Sequence, residues 1–133
     1  MASPSSVIMI REIDYSSEEI AKVKDLYSKN LFLLDRLIFS GVLKGILKDQ
    51  AAGNGAVLVA VDSALNEIVG TFSLRYFMAK GEKYGLIDCV AVAKSHRGQG
   101  ITTQLLKSSL AWFHSQAVPN IYEIGRASCR ERV

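Results

Sequence analysis

Two kinds of hydrophobic pattern alternate along the chain, and together they predict alternating strands and helices. Runs rich in β-branched and aromatic residues predict strands at Val7–Ile13, Ala56–Val61 and Glu67–Met78. Apolar residues at helical spacing predict helices at about Ser17–Ser28 and Ile101–Ser115. The polar stretch 62–66 separates the second and third runs by one tight turn, so we expect those two strands to form an antiparallel hairpin.

A second helical stretch, Leu31–Gln50, carries apolar residues on more than one side. They are Leu33, Leu34, Leu37, Ile38, Leu43, Ile46 and Leu47. This breadth predicts a helix buried on two sides; the alternative is part of a substrate wall or a dimer surface. Gly41 and Gly45 weaken the helix and allow a break near them.

The most informative stretch is a strand that runs through a glycine loop into a helix. The strand is predicted over Tyr84–Ala93, the loop over Lys94–Gly100, and the helix begins at Ile101. This order directs several backbone N–H groups and the positive end of the helix dipole at one point, which makes an anion site. Gly98 and Gly100 allow a sharp turn and close approach of a ligand to the backbone. The pattern therefore predicts a loop that holds a pyrophosphate-bearing cofactor.

Other glycine loops fit these residues less well. A nucleoside-triphosphatase loop needs Gly-Lys-Ser/Thr, which is absent, and a dinucleotide fingerprint needs a glycine where Thr103 stands. A plain strand–turn–helix connection without a ligand is the remaining alternative. Arg97 argues against it, because its fixed positive charge is suited to phosphate.

At this loop the sequence resembles the GNAT family, the GCN5-related N-acetyltransferases. The family signature is Arg/Gln-x-x-Gly-x-Gly/Ala between a strand and a helix, and here it reads Arg97, Gly98, Gln99, Gly100, Ile101, Thr102. Thr102 departs from the Gly or Ala of the family. The resemblance implies acetyl-CoA as cosubstrate, with pyrophosphate on the loop amides and pantetheine along the strand backbone at Val90, Ala91 and Val92.

The resemblance also implies an architecture, an α/β fold with a mixed, mostly antiparallel central sheet flanked by helices. The expected order is β-α-α-β-β-β-α-β, ending in a strand that begins at about Val118–Glu123 and runs parallel to the central one. The rest of that strand, a further helix and a closing hairpin would follow in the family. The sequence does not contain them, so we expect a domain truncated at its C-terminus.

Acetyl transfer to an amine needs a group that accepts the amine proton. In the family this is often a carboxylate on the central strand, and Asp88 is the candidate; a hydrogen-bonded structural aspartate is the alternative. Glu82 lies in the preceding turn and is a poorer candidate. We expect His96 to be a solvated loop residue and Cys89 to be a small buried thiol rather than a nucleophile.

The sequence contains two further residues that could take part in chemistry, and it could contain a metal site. His114 is expected on the helix surface, and Tyr122 is assigned no role. Histidine and cysteine residues form no cluster at metal-ligand spacing, so no metal is expected.

Composition limits the remaining possibilities. With 133 residues, 49% of them hydrophobic, the chain is long enough for one domain with a real core. The sequence shows no secretory start and no apolar run long enough to cross a membrane, so a cytoplasmic protein is expected. The net charge of +3 is too small to indicate nucleic-acid binding.

The last ten residues, Ile124–Val133, match the translation of a common sequencing-library adapter whose next codon is a stop. We therefore expect residues 1–123 to form the truncated GNAT domain and residues 124–133 to be a non-native tail. The tail holds three arginines and one glutamate, so the remainder of the chain carries a net charge of only +1. Cys129 also belongs to the tail.

The predicted function is an N-acetyltransferase that moves an acetyl group from acetyl-CoA to a primary amine. The acceptor is a small molecule or a peptide, neither nucleic acid nor membrane is expected as a partner, and a homodimer is an open possibility. A non-catalytic acyl-CoA-binding or sensing domain is the alternative from a different class. A third alternative is an incompletely folded, inactive fragment.

Overall fold

A computed structural model describes residues 7–30, 33–124 and 130–132. Its strands form one sheet in sequential order, in which all neighbours are antiparallel except the fourth and fifth strands. The strands are β1 Ile8–Glu12, β2 Gly55–Asp62, β3 Glu67–Ala79, β4 Glu82–Val92, β5 Asn120–Ile124 and β6 Arg130–Arg132. The helices are α1 Ser17–Asn30, α2 Leu33–Ala51 and α3 Ile101–Ser115. The predicted mixed, mostly antiparallel sheet flanked by helices is confirmed.

The sheet separates two apolar clusters, one on each face. Helices α1 and α2 cover one face, where Val23, Tyr27 and Ile46 pack on Val57 and Val59 of β2. Helix α3 covers the other face, where apolar residues of the helix pack on β2, β3 and β4. This second cluster includes Ile101, Leu105, Phe113, Leu58, Ala60, Phe72, Leu74 and Ile87. Alternate residues of the strands therefore serve different layers, as the two-residue period of a strand requires.

Helix α1 begins with a network of polar side chains. The Ser16 hydroxyl accepts a hydrogen bond from the Glu19 N–H at 3.1 Å, which satisfies one free donor of the first turn. The Glu19 carboxylate turns back and accepts from the Asp14 N–H at 3.0 Å. It also receives two hydrogen bonds of 2.7 Å from the Arg11 guanidinium on β1. The start of α1 is thus fixed to the edge strand of the sheet.

Helix α2 corrects one expectation. It continues through Gly41 and Gly45 without a break. A Cβ atom at either glycine would meet no other atom within 4 Å, so neither glycine is required by close packing. The buried side chains of Leu43 and Ile46 hold this part of the helix against the sheet, and tertiary packing outweighs the low helix propensity of glycine. The side chains of residues 33–40 lie outside the described part.

Leu106 and Leu110 of α3 are only partly buried, whereas Ser109, which donates to the Leu105 carbonyl at 2.7 Å, is fully buried. Strand β6, which lies in the expected non-native tail, pairs with β5. No helix in the described ranges is long and apolar enough to cross a membrane.

We expect the Glu19–Arg11 pair to stabilise the fold in a pH-dependent way. The hydrogen bonds from Arg11 lower the pKa of Glu19 to about 2, below its ordinary value of 4.5. Because the folded state holds the charged form, this stabilisation is complete above about pH 4.5 and is lost as the pH falls toward 2. Glu19→Gln should therefore lower the free energy of unfolding at pH 7 by about 1–3 kcal/mol. In urea unfolding from pH 7 to pH 2, the difference from the wild type should shrink below about pH 4.5.

Glu18→Gln provides the matched control, since the Glu18 side chain is 79% exposed and only pairs with Lys22 at 3.5 Å. Its effect at pH 7 should stay below about 1 kcal/mol. Equal effects of the two substitutions at every pH would contradict the assignment.

Candidate functional site

The described pairing of β4 with β5 covers only the first half of β4. The two strands pair in parallel from Tyr84 opposite Asn120 to Ile87 opposite Glu123. Strand β4 then continues to Val92, and none of the described residues of β5 pairs with it beyond Ile87. Among the described residues, the backbone of Cys89–Ala91 therefore has no strand partner on the side toward β5, and backbone hydrogen-bonding groups need partners. An extended ligand with amide groups is suited to this edge.

The same segment carries a β-bulge. Thr71 of β3 lies opposite Ala91, but Ser73 lies opposite Asp88, so the register shifts by one residue between them. Cys89 and Val90 together occupy the space opposite Phe72. A bulge bends and twists its strand and changes where the backbone groups point. The predicted cofactor residues Val90, Ala91 and Val92 thus begin at an irregularity in the central strand.

The predicted glycine loop follows β4 directly. A 3-10 turn spans Lys94–His96, and the chain then reaches α3 through Gly98 and Gly100, whose φ angles are +79° and +77°. A Cβ at either glycine would meet no protein atom within 4 Å, so space beside the backbone is open. Both residues need glycine for the left-handed conformation.

Helix α3 presents free donors at its N-terminus. Gly100 is the N-cap and supplies no side-chain hydrogen bond to the first turn. The first intrahelical bond runs from the Gln104 N–H to the Gly100 carbonyl at 3.1 Å, which leaves the N–H groups of Ile101, Thr102 and Thr103 without a helical partner. These donors and the helix dipole favour an anion at this position.

Charge around the loop also favours an anion. The sequence holds no Asp or Glu between Cys89 and Tyr122, whereas Lys94 and Arg97 lie in or next to the loop. Arg97 is exposed, and its Nε donates to the Val92 carbonyl at 3.3 Å. Gln99 and Thr102 are exposed on the same loop and first helical turn.

Ile101 has a different position from its neighbours, because its side chain is 2% exposed and packs in the cluster under α3. A Cβ at Gly70 of β3 would lie 3.1 Å from side-chain atoms of Ile101 and Leu105. Glycine at position 70 thus lets the first turns of α3 approach the sheet closely. Ile101 therefore anchors the helix, and only its backbone N–H is directed to the anion position.

Asp88 lies on the face of the sheet opposite α3. It is 5% exposed, and its Oδ2 accepts a hydrogen bond from the Arg75 Nε at 3.0 Å. Arg75 Nη1 lies 4.0 Å from the Asp49 carboxylate at the end of α2. Ser73, opposite Asp88, is fully buried, and its hydroxyl has no hydrogen-bond partner in the part of the chain that the structure describes. The candidate base is thus a buried carboxylate in an ion pair.

The structure also describes other residues that the sequence analysis considered for chemistry. His114 is exposed, as expected, and Glu82 accepts a hydrogen bond from the Tyr84 hydroxyl at 3.1 Å in the exposed hairpin end. The side chain of Cys89 lies outside the described part. Within the residues described, no three His, Cys, Asp or Glu side chains are grouped so that they could hold a metal.

His96 corrects the sequence expectation, because it is only 9% exposed rather than solvated. Its Nε2 lies 2.8 Å from Asp62 Oδ2 at the end of β2. Sequence reasoning missed this pair and the Arg75–Asp88 pair. The β3–β4 hairpin register runs unbroken from Ala79 opposite Glu82 to Ser73 opposite Asp88, and it brings Arg75 near Asp88; the bulge begins beyond this stretch. The pairing of His96 with Asp62 joins residues 34 apart and has no local signal.

Comparisons with known proteins give a family and a fold. A family model described as acetyltransferase (GNAT) family matches residues 20–131. A sequence comparison with curated proteins found no match. Among solved structures, the chain is similar to a glucosamine N-acetyltransferase region described as GCN5-related, from a fungal multi-domain β-N-acetylglucosaminidase. The identity is 20% and the TM-score 0.74, over 90% of this chain and 14% of that one.

Two bacterial structures are also similar in fold. A GNAT family acetyltransferase from Brucella melitensis in complex with acetyl-CoA shares 16% identity, with a TM-score of 0.69, over 90% of this chain and 76% of that one. A GNAT family N-acetyltransferase from Escherichia coli in complex with CoA shares 18% identity, with a TM-score of 0.70, over 94% and 66%. At these identities the structures show a shared fold.

Proposed function

The chain belongs to the acetyltransferase (GNAT) family, and we propose that it moves an acetyl group from acetyl-CoA to a primary amine. The observation that carries the proposal is the combination of an open β4 edge with a glycine loop at the N-terminus of α3. Two solved structures of similar fold contain acetyl-CoA or CoA, which supports the choice of cosubstrate.

In this proposal the loop and the strand hold different parts of acetyl-CoA. The pyrophosphate would accept hydrogen bonds from the N–H groups of Ile101, Thr102 and the glycine loop, with Arg97 as a counter-charge. The pantetheine amides would pair with the backbone of Val90, Ala91 and Val92, and a backbone N–H there would polarise the thioester carbonyl. Gln99 supplies loop backbone rather than a required side chain.

Asp88 is the proposed acceptor of the amine proton, directly or through water. It lies two residues before Val90, next to the proposed position of the thioester. In the overall reaction the amine nitrogen bonds to the carbonyl carbon and the carbon–sulfur bond breaks. The amine loses one proton, and coenzyme A leaves as the thiol. Arg75 would orient the Asp88 carboxylate through the 3.0 Å hydrogen bond.

A non-catalytic acyl-CoA-binding domain is the second candidate. It is favoured by the Arg75 ion pair of Asp88, because a carboxylate that is already paired is a less available base. Such a domain would bind acetyl-CoA through the same loop without transferring the acetyl group.

Binding of acetyl-CoA should depend on the loop. Arg97→Ala/Gly100→Asp removes the counter-charge and places a carboxylate, on a strained backbone, where the pyrophosphate would lie. We expect calorimetry to show at least a hundredfold loss of affinity, an effect of about 3 kcal/mol or more. Lys107→Ala, on an exposed part of α3, is the control and should bind as the wild type does. A folded wild-type chain that does not bind acetyl-CoA would refute the cosubstrate assignment.

Turnover should depend on Asp88. With a panel of small amines and peptides, the wild type should release free coenzyme A thiol, and Asp88→Asn should lower kcat by about 10²–10⁴-fold. Acetyl-CoA affinity should stay within a few-fold of the wild type, because Asp88 lies on the other face of the sheet from α3. Glu82→Gln is the matched control and should retain activity. Acetyl-CoA binding with no thiol release for any amine would favour the non-catalytic candidate.

A further inference from the structure

His96 connects the candidate cofactor loop to the rigid centre of the sheet. It ends the 3-10 turn Lys94–His96 and comes immediately before Arg97. Its side chain is 9% exposed, and its Nε2 lies 2.8 Å from Oδ2 of Asp62, which is 4% exposed. A buried histidine–carboxylate contact of this length is a strong hydrogen bond.

Asp62 is itself fixed at the other end of this contact. Its Oδ1 accepts hydrogen bonds from the N–H groups of Ala64 at 3.0 Å and Leu65 at 3.3 Å. These bonds shape the turn between β2 and β3. Asp62 also pairs with Ile8 of β1 and Glu67 of β3 in the sheet. The carboxylate that holds His96 therefore belongs to the framework of the sheet and does not move with the loop.

The second ring nitrogen of His96 has its own partner. Nδ1 lies 2.7 Å from the hydroxyl of Ser95. With the proton on Nε2, the ring donates to Asp62 and accepts from the Ser95 hydroxyl, so one neutral tautomer satisfies both contacts. The contacts together fix the rotation of the ring and the path of the chain at residue 96.

Beyond His96 the chain has no other buried side chain until Ile101. The four residues between them are all exposed: Arg97, Gly98, Gln99 and Gly100. The two glycines have positive φ angles and, without a Cβ atom, few steric limits on their backbone. His96 and Ile101 are thus the two buried anchors of the loop. Ile101 holds the helix, whereas His96 determines where the preceding strand releases the chain.

We propose that His96, held by Asp62, is a positioning residue that sets the geometry of the pyrophosphate loop for coenzyme A binding. This inference rests on the proposed function of the loop. His96 does not touch the ligand. It acts through the backbone, because a displaced residue 96 would move the N–H groups and the Arg97 side chain that follow it.

Two amide substitutions separate positioning from mere polarity. The Gln side-chain amide places an N–H close to the position of His Nε2, whereas Asn is shorter and reaches only the position of Nδ1. His96→Gln should keep the bond to Asp62 and bind coenzyme A within about threefold of the wild type in calorimetry. His96→Asn should lose that bond and bind about tenfold more weakly.

A double-mutant cycle tests the partner. His96→Leu and Asp62→Ala should each weaken coenzyme A binding about tenfold, and the double variant should bind little more weakly than either single variant, since each substitution already removes the contact. His114→Leu removes the exposed histidine of α3 and is the control, with binding unchanged. In ¹⁵N-detected spectra of the wild-type imidazole, the proton should reside on Nε2 of His96.

The possible results separate the proposed function of the loop from the positioning role of His96. A folded wild type that binds no coenzyme A counts against the proposed function itself. Wild-type binding that is equal in His96→Gln, His96→Asn and His96→Leu would overturn only the positioning role. If His96→Leu fails to fold, the Gln and Asn variants decide. If those two also unfold, His96 serves the stability of the fold and the positioning role is overturned.

Discussion

A strand inside a sheet needs partners for its backbone N–H and C=O groups on both edges, and in the described residues β4 has a neighbouring strand on both edges over only part of its length. Strand β3 accompanies it along its length, but in the described structure β5 pairs with it only as far as Ile87. The part of β4 beyond Ile87 lies directly before the glycine loop and the free donors of α3. The open edge and the anion position therefore follow one another along a single continuous segment, which suits a ligand with an extended amide chain and a pyrophosphate.

The two faces of the sheet carry different side chains. The face under α3 is apolar, and Ile101 seats the start of the helix against Gly70, so that the first-turn N–H groups have a fixed direction. The opposite face, under α1 and α2, carries the pair of Arg75 with the buried Asp88. Asp62, which holds His96, shares the α3 face with Ala60 and with Ile8, its partner in β1. The groups proposed for proton acceptance and for loop positioning therefore lie on different faces of the sheet.

The sequence predicted the elements well because each has a local cause. The strand–loop–helix stretch could be located from its glycines, its arginine and the helical period of Ile101–Ser115, and the helix has the predicted bounds. The parallel pairing of β5 with β4 follows from the helix between them, because a crossover helix returns the chain to the end of the sheet from which β4 began. Residues 90–92 and 97–102 stay predictions as ligand contacts, although their backbone geometry suits the role.

The side-chain pairings could not be predicted, because they depend on registers that the sequence does not encode locally. The register of the β3–β4 hairpin sets Asp88 opposite Ser73 and so brings it to Arg75. His96 was expected in solvent since its neighbours are polar, yet a carboxylate from the end of β2 makes its burial favourable. In α2, Gly41 and Gly45 suggested a break that the packing of Leu43 and Ile46 prevents.

Amide hydrogen exchange, resolved by residue, with and without acetyl-CoA tests most directly whether the β4 edge and the glycine loop hold the cosubstrate. We expect acetyl-CoA to slow exchange at two places: the β5-facing amides of Asp88–Val92 and the N–H groups of Ile101–Thr103 at the start of α3. The amides of β1, at the far edge of the sheet, should exchange unchanged. Binding of acetyl-CoA without protection at either place would contradict the central claim that this edge and this loop hold the cosubstrate.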